Sequence, residues 1–306
     1  MRSFLIRRRV FSFVLTLCLL LPAAALSASA ATVSDGREPD DRSVGAALTT
    51  ADFPRGAVAT PVFLNGREVL TGETYRLDGV TYVPLRRFCA LFAPNGTMTW
   101  NGSTSTARFR TDSLDLTVRT GRLYITANGH ELYTVGAVRN LAGHLYVPIR
   151  PLARAFAAAL KWDAAAGAVV LTRPSGASAI ARASYDADEV YWLSRIISAE
   201  ASVEPFAGQI AVGNVVLNRV RSREFPNTIY GVIFDRKHGT QFSPVAFGTI
   251  YEKPEPSCVI AAKICLEGYS VTDTALYFFD PDLSTTDWIS RNCIFEFRIG
   301  SHEFYH

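Results

Sequence analysis

The pentapeptide Tyr82-Val83-Pro84-Leu85-Arg86 returns 64 residues later as Tyr146-Val147-Pro148-Ile149-Arg150. A duplication of this kind constrains a fold strongly, because two like units carry like apolar faces that must be buried. Each copy runs into a short helical stretch, Arg86 to Phe92 and then Arg150 to Leu160, and each goes on to a tryptophan in strand-like surroundings, Trp100 and Trp162. Asn65-Gly66, inside Val62 to Val69, and Asn128-Gly129, inside Ile125 to Glu131, are hairpin signals, since a type I′ turn needs positive φ at both central residues. Asp78-Gly79 marks another turn. Each unit should therefore be strands, one helix, then strands, over residues 57–173.

The chain beyond it changes character. Residues 174–187 are rich in Ser, Ala and Gly and read as a linker. From Asp188 a helical period begins. Leu193, Ile196, Ile197 and Glu200 fall at i, i+3, i+4 and i+7 and share one face. Ser184, Asp186 and Asp188 offer N-cap oxygens. Glu200 then lies in the last turn, partly buried and near the negative end of the helix dipole. Both effects raise a carboxyl pKa, and a carboxyl protonated near neutral pH can serve as a general acid. A solvated glutamate on a helix rim is the competing reading. Helices are expected over Pro205 to Arg221, with Ile210, Val215, Leu217 and Val220 inward, and over Glu255 to Glu267, ended by Gly268. A short helix starts at Phe225 to Ile229, and Lys237 to Pro244 is a loop. Strands follow at Ala275 to Phe279, Cys293 to Ile299 and His302 to Tyr305. The class is α+β: a duplicated β-rich domain with short helices, then a mainly helical domain with a small antiparallel sheet.

The N-terminus reads as a targeting segment. Arg2, Arg7, Arg8 and Arg9 precede an apolar run from Val10 to Leu21, and Ala28-Ser29-Ala30 suits cleavage after Ala30. The run is short for a membrane span, although an uncleaved anchor is the alternative. Leu15-Thr16-Leu17-Cys18 does not fit a lipid-attachment site. Residues 1–30 are thus a signal peptide and 31–56 a polar linker, which makes the protein secreted or wall-associated. Four arginines and no acid fall in residues 1–30, so the remainder holds 27 basic against 28 acidic residues, a formal charge of −1. Nothing in that balance calls for nucleic acid. Cys89, Cys258, Cys265 and Cys293 show no metal-ligand spacing. They read as buried free thiols, with Cys293 paired to Cys258 or Cys265 as the alternative in an exported chain. His130 and His144 read as turn residues. His302-Glu303-Phe304-Tyr305-His306 matches the H-E-x-x-H zinc pattern, but that pattern needs a helix, and the aromatic residues after Gly300-Ser301 favour a strand. No metal and no cofactor are expected.

Residues 57–173, with their VPLR core, helix and following Trp, resemble the copper amine oxidase N-terminal-like, or stalk, domain. That resemblance implies a spacer or wall-binding module and, despite the name, no copper site. Arg86 and Arg150 are either contacts for an anionic polymer or hairpin-capping residues. Residues 188–306 resemble the SleB-type cell wall hydrolases, the spore cortex-lytic enzyme family. The matching stretches are Ile197-Ser198-Ala199-Glu200-Ala201, Gly208 to Val212, Val215 to Val220, Phe225 to Thr228, Gln241 to Val245, Ala275 to Phe279, Trp288-Ile289 and Ile299 to Tyr305, in family order. Val203 stands where that family has glycine, and Asp280 where it more often has asparagine. The resemblance implies a lysozyme- or transglycosylase-like fold and cleavage of the N-acetylmuramic acid–N-acetylglucosamine bond of peptidoglycan, with Glu200 as the catalytic residue. It also implies lytic transglycosylation, giving 1,6-anhydro ends, rather than hydrolysis. A hydrolase would need a second carboxylate, for which Glu204, Asp235, Asp280 and Asp287 are candidates. Substrate-contact candidates are Gln241, Ser243, Tyr277, Asp280, Trp288 and His302, each with a structural role as the alternative. A non-enzymatic wall-binding protein is the rival reading of the whole chain, and peptidoglycan is the expected partner in both.

Overall fold

A computed structural model describes residues 50–237, 241–284 and 287–306. The expected signal peptide, its cleavage site and most of the 31–56 linker lie outside them. Among the described residues no helix is long and apolar enough to cross a membrane.

The first copy contains β1 (Val58–Ala59), β2 (Val62–Leu64), β3 (Arg67–Val69), β4 (Tyr75–Leu77), β5 (Val80–Pro84), α1 (Leu85–Phe92), β6 (Thr97–Asn101), β7 (Thr106–Arg110) and β8 (Asp115–Arg119). The second contains β9 (Tyr124–Ala127), β10 (His130–Tyr133), β11 (Arg139–Leu141), β12 (His144–Pro148), α2 (Ile149–Ala155), β13 (Ala159–Asp163) and β14 (Ala168–Thr172). The copies meet on the repeated pentapeptide itself. β5 and β12 pair antiparallel with Val83 opposite Val147, Tyr82 opposite Pro148 and Tyr146 opposite Pro84, so a local two-fold passes through the valine pair. Both valines are buried. Pro84 and Pro148 end their strands and stand just before α1 and α2, where a restrained φ suits the change from strand to helix.

The copies are also interlocked. The Asn65-Gly66 hairpin β2–β3 joins β13–β14 of the other copy in a four-stranded sheet, with β14 parallel to β2. The Asn128-Gly129 hairpin β9–β10 joins β8, β7 and β6 in a five-stranded sheet. A continuous core runs through both copies, from Val62 and Phe88 to Leu152 and Leu171. Helix α2 is shorter than expected. It stops at Ala155, Ala157 reverses the chain at φ 53°, and the strand around Trp162, expected after Leu160, already begins at Ala159. The alanine-rich run has helical propensity, but pairing of β13 with β14 outweighs it.

The C-terminal region comprises α3 (Ala187–Ala201), α4 (Phe206–Arg221), α5 (Ile229–Ile233), α6 (Ser243–Phe247), α7 (Pro256–Leu266), β15 (Tyr277–Phe279), α8 (Trp288–Asn292), β16 (Phe295–Ile299) and β17 (His302–Tyr305). Asp186 caps α3, accepting from the backbone N–H of Asp188 and Glu189. Leu193, Ile196 and Ile197 are fully buried, as their spacing implies. Helices α3, α4 and α7 cross at Gly213, where a Cβ would stand 2.7 Å from Cys265 Sγ and 2.9 Å from Ile197 Cδ1. Only glycine lets them approach so closely. Strands β15, β17 and β16 form an antiparallel sheet in that order. Two elements were not expected: α6 occupies the end of the anticipated loop, and α8 begins at Trp288. Among the described residues Cys89, Cys258, Cys265 and Cys293 are free thiols; the first three are buried as expected, while Cys293 is only half-buried.

On α4 the inward face differs from expectation. Leu217 and Val220 are only half-buried, while Asn214, Asn218 and Arg219 are buried. Asn214 Nδ2 donates to the Tyr269 carbonyl and its Oδ1 accepts from Val271 N–H. Asn218 Nδ2 donates to the carbonyls of Thr272 and Ala275. The helix thereby holds the segment that leads into β15.

The 174–187 segment is hydrogen-bonded to the β-rich region along its length. Ile180 N–H donates to Ala155 O, Ala183 N–H to Asn128 O, and Asn128 Nδ2 to Ile180 O. The β-rich region and the helices meet on aromatic rings, with Tyr133 4.2 Å from Tyr269 and Tyr124 6.0 Å from Phe206. Glu267, at the end of α7, lies in this junction with its side chain 6% exposed. It accepts from His130 Nδ1 and from Tyr185 Oη, both at 2.6 Å, and from Arg154 Nη2 at 2.5 Å. His130, expected as a turn residue, thus opens β10 and ties the two regions together.

Candidate active site

Glu200 occupies the last turn of α3. Its residue is half-buried, its carboxyl is desolvated, and it makes no hydrogen bond or ion pair with any described residue. Desolvation pushes its pKa up from 4.5 to about 7, against a smaller opposing pull from the Arg219 guanidinium. A carboxyl of this kind is about half protonated in neutral solution and can release its proton to a substrate oxygen.

The turn that follows Glu200 is tightly held. Gln209 Nε2 donates to the carbonyls of Ser202 and Glu204, both at 3.3 Å. The Glu204 carboxylate accepts from Ser301 N–H at 3.0 Å and from Ser301 Oγ at 2.7 Å, joining the α3–α4 turn to the β16–β17 turn. Val203, in the position where glycine is usual, is 93% exposed and is not among the residues with positive φ, so the larger side chain is accommodated without backbone strain. Gly300 is the sensitive position. Its φ is 59°, and a Cβ there would stand 1.8 Å from Glu204 Oε2 and 2.8 Å from Pro205 Cδ. Gly300→Ala is expected to expel the Glu204 carboxylate from Ser301 and to lower stability by about 2 kcal/mol or more. Thermal denaturation checks this, and an unchanged midpoint would show that the turn does not depend on the contact.

A wall of aromatic rings stands beside α4. Tyr277, first in β15, lies 6.3 Å from Phe225 and 6.1 Å from Trp288, both edge-on. Trp288, on α8, is 54% exposed, which leaves ring surface available. Phe242, between Gln241 and Ser243, packs against Phe278, and Phe278 lies 5.2 Å from the His302 ring. Gln241 is half-buried, and Ser243 is exposed as the first residue of α6. His302 is 7% exposed, its Nδ1 has no partner, and burial holds its pKa down. Asp280 accepts from Asp282 N–H at 2.8 Å, which holds its carboxyl below the usual range. These rings form two groups, Trp288–Tyr277–Phe225 and Phe242–Phe278–His302, and the Arg219 guanidinium lies near Phe225, Phe242 and Tyr277. Among the described residues, Glu200 makes no hydrogen bond with Ser243, Tyr277, Asp280 or His302.

Each of the other candidate carboxylates makes a local contact. Glu204 is bound to Ser301, Asp280 closes its own turn, Asp235 accepts from Lys237 N–H and Asp287 pairs with Arg291. The H-E-x-x-H pattern lies in strand β17 rather than in a helix, with His306 Nδ1 on Glu296. Sequence reasoning missed Glu204 as a clamp. It also left Arg219 without a role, although a charged residue beside an Asn at the end of an apolar helix was a visible signal.

Comparison with known proteins places these regions. A Copper amine oxidase N-terminal domain model matches residues 63–171, and a Cell Wall Hydrolase model matches residues 203–305, beginning three residues after Glu200. The spore cortex-lytic enzyme of Bacillus cereus is 38% identical over 120 residues, 39% of this chain and 45% of that protein. Its Bacillus subtilis counterpart is 37% identical over 117 residues, 38% of this chain and 37% of that protein. The chain therefore spans less than half the length of these curated relatives. The solved catalytic domain of the germination-specific lytic transglycosylase SleB from Bacillus anthracis is 35% identical, with a TM-score of 0.37, covering 44% of this chain and 100% of that one. Residues 203–305 belong to the cell wall hydrolase family, and they follow a copper amine oxidase N-terminal domain at residues 63–171.

Proposed function

We propose that the protein is an exported peptidoglycan-degrading enzyme that cleaves the N-acetylmuramic acid–N-acetylglucosamine bond by lytic transglycosylation, with Glu200 as its acid and base. The observation that carries this reading is the partnerless, desolvated carboxyl at the end of α3, with a pKa near neutrality. The curated relatives named spore cortex-lytic enzymes support a wall substrate, with spore cortex as its specific form.

The chemistry needs one carboxyl. Glu200 donates its proton to the glycosidic oxygen, the bond from that oxygen to C1 of the muramic sugar breaks, and the ring passes through an oxocarbenium-like state. The resulting carboxylate takes the proton of the same sugar's C6 hydroxyl while O6 closes onto C1. One bond breaks, one forms, and Glu200 ends protonated. Two-carboxylate glycosidases need a second group for a water or a covalent intermediate. Glu204, with both carboxylate oxygens held by Ser301, is poorly placed to be that second group. Tyr277 and Trp288 offer ring surface to sugar, and Gln241, Ser243, Asp280 and His302 are the polar contacts assigned to substrate. Tethered in wall, the stalk region would keep the catalytic region near its polymer.

Mass spectrometry of digested peptidoglycan tests the reading. Anhydro-muramic ends are expected. Reducing ends would replace transglycosylation with hydrolysis, and wall binding without released muropeptides would make the protein a binding module.

A further inference from the structure

The two regions carry opposite charge. Residues 57–173 hold 13 Lys and Arg against 7 Asp and Glu, a formal charge of +6, and residues 188–306 hold 10 against 15, a formal charge of −5. A wall polymer rich in carboxylates repels the second region and attracts the first. Part of the positive charge lies on one face of the five-stranded sheet. Along β7 and β8, Ala107, Phe109, Leu116 and Val118 are buried, so Arg108, Arg110 and Arg119 point the other way and are exposed. Asp115, opposite Arg110, accepts from both Nε and Nη2 of Arg108 and lies 3.7 Å from Arg110 Nε. Arg110 keeps its Nη atoms without a hydrogen-bond partner among the described residues, and Arg119 has no carboxylate at ion-pair distance among them.

Beside this face a cleft of about 470 Å³ lies between the β7–β8 turn and residues 178–182. Arg110 and Arg182 line it, with Asp112, Ser113, Asp115 and Asn128. Asn128 Nδ2 donates to the carbonyls of Ser113 and Ile180, both at 2.7 Å, and so fixes the two walls against each other. The volume is that of a small-molecule site. The same sheet face also runs to the catalytic region. Arg108, Thr117, Thr126 and Glu131 stand opposite one another across β7, β8, β9 and β10. On that side of β9 and β10, Tyr124 and Tyr133 pack on Phe206, the first residue of α4, at 6.0 and 6.3 Å. Three strand spacings, about 15 Å, separate β7 from β10. We propose that the Arg110–Arg182 cleft and the arginine face beside it are a second binding site for peptidoglycan, taking the carboxylates of its peptide stems while another stretch of the polymer lies at Glu200. A guanidinium fork takes a carboxylate through two parallel hydrogen bonds, and Arg110 has donors to spare for one. Such a tether raises the concentration of glycan at the acidic catalytic region. The inference rests on the reading of peptidoglycan as the partner.

The test is co-sedimentation of the full chain with insoluble peptidoglycan on ice. Arg110→Gln with Arg182→Gln removes two charges from the cleft and leaves the Arg108–Asp115 pair in place. Arg86→Gln with Arg150→Gln removes two charges from the exposed starts of α1 and α2, which do not line it. The cleft pair is expected to weaken wall binding about tenfold and the helix pair less than about twofold. Circular dichroism establishes that each variant is folded. If the cleft pair does not fold, Arg119→Gln with Arg182→Gln, both at exposed positions, takes its place with the same expected loss. Wild-type retention should fall steeply between about 0.05 and about 0.5 M salt. Methyl esterification of the wall carboxylates should abolish retention, and stripping phosphodiester polymers from the wall should leave it unchanged. Equal losses in the two pairs, no loss in the cleft pair, or retention that vanishes with the phosphodiesters would each overturn the proposal. If the wild-type chain neither sediments with the wall nor releases muropeptides, the reading of peptidoglycan as the partner fails; if it sediments and the cleft pair binds as tightly, only this inference fails.

Discussion

Glu200→Gln is expected to abolish wall lysis and, above neutral pH, to make the folded protein more stable. Loss of a general acid should lower muropeptide release by about a thousandfold. The stability effect comes from the same burial. In the folded protein the carboxyl titrates at about 7, whereas its ordinary value is 4.5. Below about pH 4.5 both the folded and the unfolded chain carry it protonated, and the substitution should leave stability unchanged. Between those values the unfolded chain ionises while the folded one does not, so the wild type loses stability as pH rises, and the loss levels off above about pH 7. Glutamine never ionises and escapes it. The difference at pH 8 should be about 3 kcal/mol in favour of the variant. Urea denaturation at pH 4 and pH 8 measures it. A gap that is the same at both would show that the carboxyl is not desolvated and would remove the acid from the mechanism. Sacrificing stability for a poised group is a common feature of active sites.

Glu267→Ala should be the most damaging substitution outside the site. One carboxylate takes hydrogen bonds from His130 on β10, Arg154 on α2 and Tyr185 ahead of α3. Removing it strands a half-buried imidazole and a phenol in the junction beside the Tyr133–Tyr269 contact. Breaking a buried pair from one side costs about 3 kcal/mol, which in a chain of this size lowers the melting temperature by about 10 °C. Arg154 is about half exposed, so water recovers part of its loss, and His130 and Tyr185 carry most of the effect. Glu267→Gln, which retains acceptor and shape, should lose much less. Identical melting curves for Ala and wild type would show that the aromatic contacts alone hold the junction.

Much of the local structure was legible because it depends on short-range rules. Asn65-Gly66 and Asn128-Gly129 adopt the positive φ angles their hairpins need, and the 3.6 period of Leu193, Ile196 and Ile197 faces the core. The misreadings arose where distant pairing overrode local preference. The alanine-rich run after Arg154 left the helix at Ala155 and turned at Ala157 so that β13, from Ala159, could pair with β14, and α4 turned Asn214, Asn218 and Arg219 inward because the backbone of residues 269–276 supplied partners.

By itself, the order of residues determined that there would be two copies of one unit, a helix with Glu200 in its last turn and a short antiparallel sheet at the C-terminus, since periodicity and turn chemistry act over a few neighbours. Only the tertiary structure decided that the copies exchange hairpins, that Glu204 grips Ser301 from 97 positions away, and that Arg219 is buried among Phe225, Phe242 and Tyr277 with its Nε on the Leu276 carbonyl. Desolvation and hydrogen bonding across the chain depend on what folding brings alongside, and no local pattern encodes them.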